Sequence, residues 1–82
     1  MFDVDDSAVV DVVGALPLEL LAPYAELRAA LALAPRAVGR PLHAAVPSGL
    51  RTATLGEGGR GIVSFLVEDD PRRVQIVQMT FY

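Results

Sequence analysis

The chain has 82 residues, no cysteine and no lysine, 52% hydrophobic residues and a net charge of −3. That is one domain, residues 1–82, near the lower size limit for an apolar core without staples. Disulfides and thiolate metal sites are excluded, and the acidic balance argues against free, nonspecific DNA binding, which needs a broadly basic surface.

No apolar run reaches the roughly 20 residues of a membrane span. The opening MFDVDD is acidic where a secretory signal is basic, so a cytoplasmic protein with no membrane contact is expected. Residues 1–26 carry six acids and no base, whereas the rest of the chain carries all seven arginines against four acids. Arginine favours planar, two-pronged contacts to phosphate or carboxylate. So small a domain cannot hide all its apolar residues, and a patch covered by a partner is expected, a second copy of the chain among the candidates.

Phe2-Asp3-Val4 alternates and reads as a very short first strand. Ser7, behind two aspartates, reads as a helix N-cap. Val9, Val13 and Leu16 then fall on one helical face, with Gly14 as a stop and Pro17 as the first position of the next helix. In that second helix Leu20, Tyr24, Leu27 and Leu31 line one face. Pro23 removes a backbone hydrogen bond and costs about 3 kcal/mol inside a helix, so the spacing predicts a start near Ala22 or a kink. Pro35 ends the helix, and the two helices are expected to form a hairpin packed on a sheet.

Residues 35–49 (PRAVGRPLHAAVPSG) hold three prolines and two glycines without a period and read as a long loop. Three strands follow at 50–55, 61–68 and 73–82, joined by a GEGGR turn and an Asp69-Asp70-Pro71 breaker. In the last strand Val77, Met79 and Phe81 alternate with Gln78, Thr80 and Tyr82. In the middle one Val63, Phe65 and Val67 alternate with Ile62, Ser64 and Leu66. One face is therefore apolar and takes the helices, while the other is mixed. The order β-α-α-β-β-β defines an α+β fold, a helical layer on one face of a mainly antiparallel sheet.

The open face offers Ser64, Gln78, Thr80 and Tyr82, and hydroxyls and amides beside arginine can hold phosphate. Tyr82 could move a proton, stack on a base, or simply cap the sheet edge. Arg51 and Arg60 stand at strand ends as phosphate ligands or solvated charges, and strict alternation puts Arg51 on the face of Ala53 and Leu55. Only a twist or bulge would bring it to Tyr82. His43 lies in the long loop as polar surface, and Arg72-Arg73 reads as a turn balancing Asp69-Asp70. The sequence has no defensible Ser-His-Asp set, metal-ligand cluster or phosphate-binding P-loop, so no cofactor and no metal are expected.

Across nearly its whole length the chain resembles the RelE/ParE superfamily of bacterial toxin–antitoxin systems. The resemblance rests on FDVDDSA, the LP…L…Y.EL…L…P stretch, PRAVGRPL, GLRTATLG, GIVSFLVED and VQIVQMTFY, in that order and spacing. It implies two helices against a curved sheet, a toxin role in the cytoplasm and a cognate antitoxin as partner. In RelE-like members it further implies a ribosome-dependent mRNA endonuclease, in which the 2′-OH attacks the adjacent phosphate and a base, an acid and cations are required. On that resemblance Arg51 and Tyr82 match family catalytic positions. Arg60 lies beside one, which Gly61 or Ile62 occupies, and the family's lysines have no counterpart. ParE-like members act on gyrase without cleaving RNA, and a noncatalytic protein-binding module is the alternative the resemblance carries.

Overall fold

The computed structural model of the chain describes residues 1–43, 45 and 49–82. Its strands are β1 (Asp3–Asp5), β2 (Arg40–Pro41), β3 (Arg51–Leu55), β4 (Gly61–Asp69) and β5 (Arg72–Phe81). Between β1 and β2 come a 3-10 turn at Ser7–Val9, the short helix α1 (Val10–Gly14) and the long helix α2 (Leu18–Leu33). The sheet runs β1-β5-β4-β3-β2, antiparallel except where β1 lies parallel to β5. This is an α+β domain with two helices packed on one face of a five-stranded, mostly antiparallel open sheet.

One strand was not expected. Arg40–Pro41 pairs with Thr52 and Arg51 inside the stretch that composition marks as loop. Proline is tolerated there because the strand is an edge, where the missing N–H leaves no ladder bond unmade. The rest of that expected loop lies partly outside the described residues, at positions 44 and 46–48.

Helix α2 runs through Pro23 without a break. Leu20, Tyr24, Leu27 and Leu31 are buried along one face. Burying each such side chain is worth about 1.5–3 kcal/mol, so four anchors outweigh the roughly 3 kcal/mol that an internal proline costs. Pro17 serves as the extended residue before the helix rather than its first turn. Ser7 is not a cap: its N–H and hydroxyl both donate to the Asp5 carboxylate, at 2.9 and 2.7 Å. The expected first helix is shorter than its valine spacing suggests, since β-branched residues favour it weakly. Packing of Val9 and Leu16 holds the segment down.

The last strand departs from strict alternation. Ser64 pairs with Gln78 but Phe65 pairs with Ile76, leaving Val77 as the extra residue of a β-bulge. The core face of β5 is therefore Val74, Ile76, Met79 and Phe81, and the expected place of Val77 on that face is corrected. Without the bulge, either the first or the second half of the strand would turn its apolar side chains outward.

Candidate functional site

Cross-strand partners share a face, so the register fixes what the open side displays. One row is Thr54–Ile62–Thr80, and the next is Arg40–Thr52–Ser64–Gln78. Towards β1 the face ends on Glu68, Arg73 and Asp3, with Arg73 Nη2 donating to both Glu68 oxygens at 3.1 and 3.2 Å. Arg73 thus compensates Glu68, while its neighbour Arg72 lies over the Phe2 ring, 5.3 Å from the centroid. Among the described residues neither arginine's side chain hydrogen-bonds the turn aspartates, although the Arg72 charge, after the Arg36 bond, helps hold the Asp69 carboxyl below its ordinary value.

Tyr82 follows Thr80 in phase and is 71% exposed. Its N–H donates to the Arg60 carbonyl at 2.8 Å. Arg60 answers with Nε and Nη2 on the Tyr82 main-chain oxygen, at 3.1 and 2.6 Å, and with Nη1 on Glu19 Oε1 at 2.8 Å. The fold therefore brings Arg60 and Tyr82 together, but through the tyrosine's backbone. Every Arg60 nitrogen already holds a protein oxygen. The Arg60 guanidinium in turn holds the Glu19 carboxyl below its ordinary value.

Arg51 faces the other way. It sits in line with Ala53 and Leu55 on the helix side, 9% exposed. Nη2 donates to the carbonyls of Arg36 and Val38 at 3.1 Å and to that of Gly39 at 3.4 Å. These oxygens belong to the turn that leads from α2 into β2, so Arg51 ties that segment to the sheet. Its Nε is buried without a partner among the described residues. Arg51 and Tyr82 lie on opposite faces. His43 is exposed beside the edge strand.

Two groups escaped sequence reasoning. Tyr24, placed in the core by its spacing, also donates its phenol to Asp6 Oδ2 at 2.7 Å, where Arg28 Nη1 arrives at 2.8 Å. Arg28 Nη2 reaches the Val4 carbonyl at 3.3 Å, so the trio clamps β1 to α2. Burial, then the Asp6 bond, pushes the Tyr24 phenol above its ordinary value. The acidic Asp5-Asp6 pair read as helix-cap charge was the only sequence trace of this clamp. Arg40 is the second, because a two-residue strand has no readable alternation.

Among the described residues no group of His, Asp and Glu could hold a metal ion, and no helix is long and apolar enough to cross a membrane. The site is an open, hydroxyl- and amide-bearing sheet face with one exposed aromatic, Tyr82, and two exposed arginines, Arg40 and Arg60, at its margins. Compared with family models, with characterised proteins and with solved structures, the chain matches none.

Proposed function

We propose that the chain is a RelE/ParE-like cytoplasmic module that acts by docking a protein partner, its cognate antitoxin first, rather than by cleaving RNA. The order of elements and the helical layer on one sheet face support the superfamily reading. The observation that carries the choice between activities is the commitment of the cations. Arg51 is buried against main-chain carbonyls, and Arg60 is spent on Glu19 and Tyr82. A developing phosphate charge needs donors that are free and aimed at it. Protein docking needs exposed apolar surface instead, and α2 offers Leu18 and Leu33 at 83% and 72% exposure.

Expression of the whole chain in bacteria, with mapping of transcript ends, tests this. Transcripts stay intact, and Tyr82→Phe leaves any growth effect unchanged, while Leu18→Glu with Leu33→Glu abolishes both that effect and antitoxin binding. The second reading, a ribosome-dependent endonuclease, is favoured by the adjacency of Arg60 and Tyr82. Ribosome-dependent cleavage that disappears in Tyr82→Phe would replace the docking reading with it.

A further inference from the structure

We propose that the corner where β2 meets β3 binds a small organic anion, a phosphate or carboxylate on a single-ring apolar body, with Arg40 as its cationic anchor. Six arginines are committed inside the chain: Arg28 to Asp6, Arg36 to Asp69, Arg51 to carbonyls, Arg60 to Glu19 and Tyr82, Arg73 to Glu68, and Arg72 over Phe2. Arg40 is exposed and makes no such contact among the described residues. A lone surface arginine is ordinarily just solvated. The surroundings of this one differ.

Arg40 lines a depression of about 300 Å³ together with Gly39, Thr52, Ala53, Thr54 and Ile62. The two threonines stand on the open face, Thr52 opposite Arg40 and Thr54 opposite Ile62. The depression also contains a main-chain donor. The Leu50 carbonyl accepts from Leu42 N–H at 2.8 Å, so the even-numbered residues of β3 turn their backbone groups towards β2. The short β2 reaches only as far as Thr52, so Thr54 N–H and C=O point past its end with no backbone partner among the described residues. Gly39 makes this corner possible. Its φ is +64°, and a Cβ there would fall 2.0 Å from the Thr52 carbonyl oxygen, so no larger residue fits.

The local charge has the right sign. Arg51 bonds the Gly39 carbonyl, next to Arg40 in the chain, and its own charge rests on carbonyls with no carboxylate within reach among the described residues. Two guanidinium charges without an acidic partner among the described residues therefore lie at this end of an otherwise acidic molecule, Arg40 on the open side and Arg51 buried on the helix side. Arg40 can fork onto a phosphate or carboxylate. The threonine hydroxyls and Thr54 N–H supply neutral donors. Ile62, 41% exposed, gives an apolar floor for a ring. The volume stands at the small end of ligand pockets, which sets the size of that body.

The corner is formed by residues of one chain, so its test stands apart from the docking reading. Phenyl phosphate and benzoate are titrated separately against the 15N-labelled chain, following the amides of Thr52, Ala53, Thr54 and Ile62. At least one probe is expected to shift these amides saturably by about 10 mM, which tells phosphate from carboxylate as the preferred source. Arg40→Gln weakens that binding at least about tenfold, because the fork and its charge are lost together. Ile62→Ser, which leaves the backbone groups in place, weakens it less. Arg40→Gln has no internal partner to lose, and an unchanged melting curve confirms that the variant is folded. If neither probe moves these amides, or if the shifts persist in Arg40→Gln, the site does not exist.

Discussion

Replacing Arg51 by methionine separates a structural arginine from a functional one. Methionine keeps an unbranched stem of similar reach and removes the guanidinium. Two hydrogen bonds of 3.1 Å from a charged donor are lost, to the carbonyls of Arg36 and Val38. Bonds to charged groups contribute about 1.5–3 kcal/mol each, giving a gross loss of about 3–6 kcal/mol. Part is returned, because the unpartnered Nε no longer has to be buried, a cost of about 1–3 kcal/mol. The difference spans about 0–5 kcal/mol, and the mid-range value of about 2–3 kcal/mol is the expected net destabilisation, against a total of about 4–12 kcal/mol for a domain of this length. The variant should stay folded but melt about 10–20 °C lower. In urea its midpoint should fall by about 1–2 M at unchanged slope. Arg51→Lys, which keeps the charge but not the fork, should fall between the two. A normal urea midpoint in Arg51→Met, combined with loss of growth effect or RNA cleavage, would refute the structural role and return Arg51 to a functional site.

Three further outcomes follow from the geometry. Tyr24→Phe removes the phenol bonded to Asp6 and should cost about 1–2 kcal/mol in urea melts. Because burial raises the Tyr24 pKa in the folded chain, its contribution is complete below the ordinary value of 10.0 and fades as pH rises beyond it, a loss that Tyr24→Phe should lack. Deleting Val77 removes the bulge and leaves Val74, Ile76, Met79 and Phe81 in unbroken alternation, so the chain should stay folded with a loss near about 1 kcal/mol. Deleting Ser64 instead turns Phe65 and Val67 to the wrong face. Exposing Phe65 alone costs about 1.5–3 kcal/mol, the misplaced Val67 and lost register add to it, and circular dichroism should show that chain unfolded. Finally, Asp5, Glu19 and Asp69 are held below their ordinary values by Ser7, Arg60 and Arg36 respectively. Their stabilisation is present above those values and lost as pH falls through the folded ones, so the urea midpoint should drop between about pH 5 and pH 3. In Arg36→Gln that drop should be shallower. All three carboxylates are solvent-exposed, so the effect is small and fades in high salt.

The sequence by itself determined the layers. The spacing of Leu20, Tyr24, Leu27 and Leu31, the alternation about Val63 and Phe65, and the Gly- and Asp-rich breakers each encode a local period that burial then enforces. It also placed Ser64, Gln78, Thr80 and Tyr82 on one open face, and by the same parity set Arg51 on the other. Tertiary structure decided the rest, because those features depend on partners distant in the chain. The edge strand Arg40–Pro41 exists only because β3 is there to pair with it. The bulge at Val77 reconciles two halves of a strand whose apolar phases disagree. Which carboxylate or carbonyl each arginine reaches, from Arg60 on Glu19 to Arg28 on Asp6, is set by where the helical layer meets the sheet. No local pattern records a contact across 22 or 41 positions of chain.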